Sequence, residues 1–174
     1  MAAGDSLNPT HSPLVPQPCL DAPQVERRLD EEIARATRHG TALSCLLVRI
    51  DDEQTLFGAH GGELTEQALA YLAAALSRQL RRFDRIGRAG AGELLVLLPG
   101  ADERRGELVA RRALGRLHAI KLEMQGTRRP LPISVGIASF REGLEAQQLL
   151  AQARLAARLG ASTSADAEAD RATR

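Results

Sequence analysis

Hydrophobic positions alternate between helical and strand spacing along the middle of the chain. Four stretches place apolar residues at intervals of three and four, the spacing of one helical face: residues 24–39, 61–82, 102–120 and 144–159. Between them lie short apolar runs, partly β-branched, that are typical of buried strands: residues 42–50, 84–89, 93–98 and 132–140. The pattern therefore predicts the order α-β-α-β-β-α-β-α.

Glycine and proline mark the ends of these predicted elements. Gly40 follows the first helix as a natural C-terminal residue, and the turn at residues 90–92 predicts a β-hairpin. Residues 126–130 are expected to form a loop. A strand–helix–strand crossover on each side of the hairpin predicts one mixed central sheet flanked by helices. This α/β (α+β) architecture is a ferredoxin-like βαββαβ core with extra helices.

Both ends of the chain lack this periodicity. Residues 1–23 hold five of the eight prolines and no apolar period, so we expect an extended, flexible arm. Residues 162–174 are small and polar, which predicts a disordered tail. The folded domain is therefore expected to span residues 24–161.

Composition and charge argue against several classes of function. The chain has 23 Lys+Arg against 22 Asp+Glu and only 2% aromatic residues, which disfavours a nucleic-acid partner. No apolar run approaches the roughly 20 residues that span a bilayer, and the N-terminus lacks the apolar centre of a secretion signal. Cys19 and Cys45 show neither disulfide-framework nor metal-ligand spacing. We therefore expect a cytoplasmic protein without a membrane partner.

Three stretches follow one another as the landmarks of a known family do. They are EIARATRHGTALSCLLVRID at residues 32–51, RRFDRIGRAGAGELLVLLPG at 81–100 and PISVGIASF at 132–140. The second is similar to the block R-x-x-D-x-x-x-R-x-GGDEF-x-x-LLP. The spacing between the first and second stretches matches that of the family without a gap. Over about residues 24–160 the chain resembles the GGDEF domain, the catalytic domain of bacterial diguanylate cyclases. The resemblance implies a nucleotidyl-cyclase-like fold and a role in bacterial signal transduction.

The resemblance also implies that the metal site of the cyclases is missing. The third residue of the family's GG[D/E]EF turn binds metal, and here that turn reads Gly90-Ala91-Gly92-Glu93-Leu94. The other metal-binding carboxylate falls on Arg49, whose guanidinium repels the Mg²⁺ that neutralises the triphosphate. Arg49 is expected either to pair with Asp51 or Glu93 or to extend into the vacated position.

Further parts of the family's nucleotide site are altered as well. Its guanine-binding Asn and Asp fall on Phe57 and Glu66, and residues 156–162 do not match its phosphate-binding stretch AK-x-x-GRN. The resemblance thus implies a degenerate domain, a pseudo-enzyme without catalytic residues or a Mg²⁺ cofactor.

One family motif is retained before the turn. Arg81 and Asp84 match RxxD, the inhibitory site that binds cyclic di-GMP in active cyclases, and Arg112 falls near the place of a further arginine. A guanidinium can donate to guanine O6 and N7 or to phosphate, while a carboxylate accepts from guanine N–H groups. The alternative is that this arginine-rich stretch is a solvated helix end, where cations favour the helix dipole.

These observations support three hypotheses. We favour an inactive GGDEF protein that acts as a cyclic di-GMP receptor through RxxD and passes the signal to a protein partner, with ligand-linked homodimerisation. The second hypothesis is a protein-interaction module that binds no nucleotide. The third is a diguanylate cyclase with residual activity.

Overall fold

The computed structural model describes residues 17–51, 58, 61–124 and 126–172. Among these residues it contains four helices and six strands. In chain order they are α1 (Ala22–His39), β1 (Leu43–Ile50), α2 (Gly61–Ser77), β2 (Arg85–Gly90), β3 (Glu93–Pro99), α3 (Glu103–Leu117), β4 (Lys121–Met124), β5 (Thr127–Pro130), β6 (Ile133–Ser139) and α4 (Ala146–Ala172).

The central sheet has the strand order β2-β3-β1-β6, as expected for a βαββαβ core, so the predicted fold class is confirmed. The predicted mixed sheet is corrected, because every adjacent pair of these strands runs antiparallel. Each crossover skips one strand, so the strands that it joins lie parallel but not side by side. Within the described residues, parallel pairing is limited to one bridge between Leu20 and Gly87.

Helices cover both faces of this sheet. Helices α2 and α3 pack on one face, and α1 and α4 pack on the other. Successive residues of β1 alternate between the faces: Leu46 and Val48 contact the first cluster, Cys45 and Leu47 the second. Burial on both faces explains why this strand is a continuous apolar run. No helix in the described part of the chain has the length and hydropathy needed to cross a membrane.

Helix α1 begins two residues earlier than predicted, because a capping box fixes its first turn. The Asp21 carboxylate accepts from the Gln24 N–H at 2.8 Å, and the Gln24 side chain accepts from the Asp21 N–H at 3.0 Å. Pro23 lies in that first turn, where a missing N–H costs nothing. Gly40 ends the helix in the left-handed region, with φ of 61°.

The flexible arm predicted for residues 1–23 is wrong for its described part, residues 17–23. The Leu20 N–H donates to Ile86 O and the Arg88 N–H donates to Leu20 O, both at 2.9 Å. The outer edge of β2 presents backbone groups that need partners, and this segment supplies them. Residues 1–16 lie outside the described residues.

Two further expectations differ from the structure. Helix α4 continues to Ala172 instead of giving way to a disordered tail at residue 162, since its alanine-rich sequence has high helix propensity. The loop expected at residues 126–130 is part of the β4–β5 hairpin, which turns at Gly126 with φ of 74°.

Candidate functional site

Arg81 and Asp84 lie in the short turn that joins α2 to β2. The Arg81 N–H donates to Asp84 Oδ2 at 2.7 Å, and the Asp84 N–H donates to Arg81 O at 3.1 Å. These two hydrogen bonds close the turn on itself, a common role for aspartate. The Asp84 side chain is buried, with 6% exposure, while Arg81 is exposed.

The two side chains of this motif therefore differ in environment. Burial raises the pKa of Asp84 above its ordinary value, opposed first by the hydrogen bond from the Arg81 N–H and then by the charges of Arg81 and Arg85. Among the described residues, the Arg81 guanidinium has no hydrogen-bond or ion-pair partner. Its donors are thus free for an anionic or carbonyl group, while the carboxylate holds the turn.

A second layer of hydrogen bonds supports the turn from the side of residue 17. Gln17 Nε2 donates to Arg81 O at 2.8 Å and to Arg82 O at 3.1 Å. Arg85 Nη1 donates to Gln17 Oε1 at 3.0 Å, to Arg82 O at 2.8 Å and to Asp84 O at 2.7 Å. Sequence reasoning missed Gln17, because nothing in a proline-rich stretch singles out one glutamine.

Arg112, the third predicted ligand residue, is exposed on α3. Within the described chain no hydrogen bond or ion pair joins it to Arg81 or Asp84, and its role stays a prediction. Phe83, inside the motif, is 69% exposed. An aromatic ring at this position is an additional surface on which a planar base can stack.

The predicted hairpin is present between β2 and β3. Gly92 lies in its turn with φ of 65°, a backbone conformation that favours glycine. The Ile50 N–H donates to Gly92 O at 2.9 Å, which ties the turn to the end of β1. In the sheet register Arg49 is opposite Glu93 on one side and Ser134 on the other. The substituted positions of the motif therefore meet at one end of the sheet.

Asp51 and Glu93, the carboxylates that the structure describes at this end of the sheet, are each paired with an arginine. Arg49 Nη2 lies 3.0 Å from Asp51 Oδ1, and Asp51 also accepts a hydrogen bond from Ser134. Glu93 accepts from Arg154 Nε at 2.9 Å, and Arg154 Nη2 donates to Ala89 O at 2.8 Å. Of the alternatives foreseen for Arg49, the pair with Asp51 is the one formed.

This donor set does not fit Mg²⁺, which requires several free oxygen ligands. Each carboxylate already faces a guanidinium, Gly92 has no side chain, and Arg49 would repel the ion. Within the described part of the chain, no group of three or more His, Cys, Asp and Glu residues could hold a metal ion. Glu66 pairs with Arg88 at 2.8 Å, and Phe57 lies outside the described residues.

Comparison with known proteins decides the family of the chain. The sequence model of the family described as "Diguanylate cyclase, GGDEF domain" matches residues 23–161. The chain belongs to the GGDEF family. It is 30% identical over 122 residues to the diguanylate cyclase DgcP of Pseudomonas aeruginosa, covering 70% of this chain and 18% of DgcP. It is 28% identical over 120 residues to the diguanylate cyclase DosC of Escherichia coli K12, covering 68% and 26%. The chain thus spans about a quarter or less of these curated relatives.

Solved GGDEF structures confirm the family resemblance and the fold. The diguanylate cyclase SiaD of Pseudomonas aeruginosa, in complex with its activator SiaC, has a TM-score of 0.74 at 26% identity over 90% of this chain and 59% of SiaD. The GGDEF domain of Caulobacter crescentus DgcB, in complex with c-di-GMP, has a TM-score of 0.71 at 17% identity, covering 94% of both chains. GGDEF structures similar to this one thus include one bound to a protein and one bound to the dinucleotide.

Proposed function

We propose that this GGDEF domain is catalytically inactive and acts as a cyclic di-GMP receptor through Arg81 and Asp84, passing the signal to a protein partner. The observation that carries the proposal is the exposed Arg81 guanidinium, which has no partner among the described residues and belongs to a turn that Asp84 closes. Guanine and phosphate both present the acceptors that such a guanidinium binds. Asp84 Oδ1 accepts no hydrogen bond from the described residues, and we expect it to accept a guanine N–H.

Loss of catalysis is supported by the charges at the end of β1. Joining two GTP molecules requires that the charge developing on the phosphates be neutralised, which Mg²⁺ does in phosphoryl transfer. Arg49 and Gly92 stand where the family resemblance places the metal carboxylates. The remaining carboxylates, Asp51 and Glu93, are neutralised by Arg49 and Arg154. We therefore expect no Mg²⁺ cofactor and no cyclase activity.

Ligand sharing between two copies is part of the proposal. Cyclic di-GMP carries two guanines, so one ligand can contact the Arg81 turns of two chains. Because the turn is on the surface, no rearrangement of the core is needed for this. We expect a ligand-linked homodimer, which sedimentation with and without cyclic di-GMP would detect.

Calorimetric titration of cyclic di-GMP tests the receptor function. Removing Arg81 deletes charged hydrogen bonds of about 1.5–3 kcal/mol, so Arg81→Ala should weaken binding roughly 10- to 100-fold. Arg78→Ala is the matched control, because Arg78 is an exposed arginine just after α2, outside the closed turn. Equal affinity of the wild type and Arg81→Ala would show that the ligand binds elsewhere.

Incubation with GTP and Mg²⁺ tests the loss of catalysis. Chromatography should detect no cyclic di-GMP from the wild type. The double variant Arg49→Asp with Gly92→Asp restores the two missing carboxylates, so its activity should rise. Product from the wild type would support a cyclase with residual activity instead.

A second candidate function is an interaction module that binds no nucleotide. It is favoured by Leu155 and Leu159, which lie one turn apart on α4 and are 57% and 62% exposed. Absence of binding heat from cyclic di-GMP would leave this function as the better explanation.

A further inference from the structure

Gln17 links the chain that precedes α1 to the Arg81–Asp84 turn. Its side-chain amide both donates and accepts hydrogen bonds: Nε2 donates to the carbonyls of Arg81 and Arg82, and Oε1 accepts from Arg85 Nη1. The chemistry of the partners fixes this orientation, since carbonyls only accept and a guanidinium only donates. A flipped amide would lose all three hydrogen bonds.

The pre-α1 segment, residues 17–21, is anchored at three points. Gln17 holds the turn, Leu20 forms two backbone hydrogen bonds with β2, and Asp21 caps α1. These contacts connect the turn to the start of α1, so a movement of either one would displace the segment that holds the other. No other described segment donates side-chain hydrogen bonds to the carbonyls of residues 81 and 82 from so far away in sequence, 64 and 65 residues.

Packing beneath the pre-α1 segment is incomplete. A pocket of about 450 Å³ lies between it and α2, lined by Cys19, Leu20, Ala73, Ser77 and Arg88 among others. Leu20 is only partly buried, and Cys19 is exposed. Leu20 packs against the core cluster of α1 and α4, whereas Gln17 is held by its hydrogen bonds, so losing those of Gln17 should loosen its end of the segment without disrupting a core.

We propose that Gln17 is a positioning residue for the Arg81–Asp84 turn and that the pre-α1 segment and the turn are energetically coupled. Gln17 satisfies the carbonyls of Arg81 and Arg82 and so holds the backbone that carries the Arg81 guanidinium. Docking of the segment and binding of a ligand at Arg81 stabilise the same turn conformation, so each favours the other by linkage. Through this coupling, ligand binding at the turn affects the start of α1. This role in signalling rests on the proposed function, whereas the coupling itself does not.

Hydrogen exchange of the ligand-free full chain tests the coupling directly. Gln17→Ala should speed exchange of the Arg81 and Asp84 amides roughly two- to tenfold, the effect of one typical hydrogen bond. Gln17→Glu should have at least this effect, because it retains the acceptor for Arg85 but cannot donate to the carbonyls. Cys19→Ser, in the same segment but directed away from the turn's carbonyls, should change neither amide.

The reverse perturbation provides the second half of the test. Asp84→Ala opens the turn and should speed exchange of the Leu20 and Arg88 amides, which pair the segment with β2. Unchanged exchange at Arg81 and Asp84 in Gln17→Ala, or at Leu20 and Arg88 in Asp84→Ala, would overturn the coupling.

Titration with cyclic di-GMP separates this inference from the proposed function. If the wild type binds, saturating cyclic di-GMP should slow exchange of the Leu20 and Arg88 amides, because the ligand and the segment stabilise the same turn conformation. Unchanged exchange at these amides would overturn the inference. If the wild type does not bind, the receptor function fails, and the exchange experiment still decides whether the segment and the turn are coupled.

Discussion

Gly136 lies on β6 where α4 comes closest to the sheet. A Cβ added here would overlap the carbonyl oxygen of Ala153 and the backbone nitrogen of Ala157, and would lie 2.9 Å from Ala157 Cα. These are helix backbone atoms, so no change of side-chain rotamer can relieve the contact. Gly136→Ala should therefore push α4 away from the sheet and draw Arg154, which follows Ala153, away from Glu93.

The cost can be estimated from the distance that α4 must move. Carbon atoms pack at about 3.5–4.0 Å, so the helix must retreat by roughly 1 Å to accept the methyl group. Overpacking a core usually costs about 1–3 kcal/mol, and we expect the upper limit because Ala153 and Ala157 are fully buried. A loss of about 3 kcal/mol lowers the melting temperature of a domain of this size by roughly 10 °C.

Gly115→Ala is the matched control for this prediction. Gly115 lies in α3, and a Cβ there meets nothing within 4 Å. Alanine is favoured over glycine in a helix by about 1 kcal/mol, so this variant should melt a few degrees higher than the wild type. Thermal unfolding followed by circular dichroism measures both. A melting temperature of Gly136→Ala equal to that of the wild type would refute the reasoning, since α4 would then move without cost.

Two further predictions concern titratable side chains. Burial raises the pKa of Asp84 in the folded state. The stability that Asp84 contributes is therefore complete below its unfolded-state pKa of about 3.9 and is lost as the pH rises through its folded-state pKa. Asp84→Asn should therefore raise the melting temperature at pH 7 and lose this advantage towards pH 4; a calorimetric difference independent of pH would contradict the argument. Burial raises the pKa of Cys45 to about 12, so a thiol reagent at pH 8 should modify only the exposed Cys19 in the native protein. In urea the reagent should modify both thiols. Two reactive thiols in the native protein would contradict this prediction.

The sheet was predictable because its strands are buried on both faces. Every residue of β1 except Arg49 is buried, and six of its eight residues are apolar. The β4–β5 hairpin was missed for a different reason: its strands are only four residues long, and β5 has no apolar residue apart from its terminal proline. The pre-α1 segment was missed because its order depends on pairing with the outer edge of β2, which the segment's own sequence does not indicate.

The contacts of the candidate site were predictable where their residues are close in sequence and not where they are far apart. The Arg49–Asp51 pair could be foreseen, since side chains two residues apart project to the same face of a strand. Arg81 and Asp84 follow from a motif of consecutive residues. Gln17 and Arg154 could not be predicted, because their partners are more than sixty residues away and are reached only through the tertiary fold.

The charges of the two surfaces support our proposal that a ligand binds at the α2–β2 turn and not at the hairpin. At the end of the sheet, the two carboxylates of Asp51 and Glu93 are balanced by Arg49 and Arg154, and Arg154 also holds the carbonyl of Ala89. A metal would meet two guanidinium groups there, and a triphosphate would meet two carboxylates, so either has to break an existing ion pair.

The turn has the opposite balance. Arg81 and Arg82 are exposed and unpaired among the described residues, while the one carboxylate nearby, Asp84, is buried and engaged by a backbone N–H. We therefore expect an anionic dinucleotide to bind this surface without breaking any ion pair formed among the described residues. Because desolvating an unpaired exposed arginine against phosphate costs less than separating a formed pair, we expect a nucleotide to gain more binding free energy at the turn than at the hairpin.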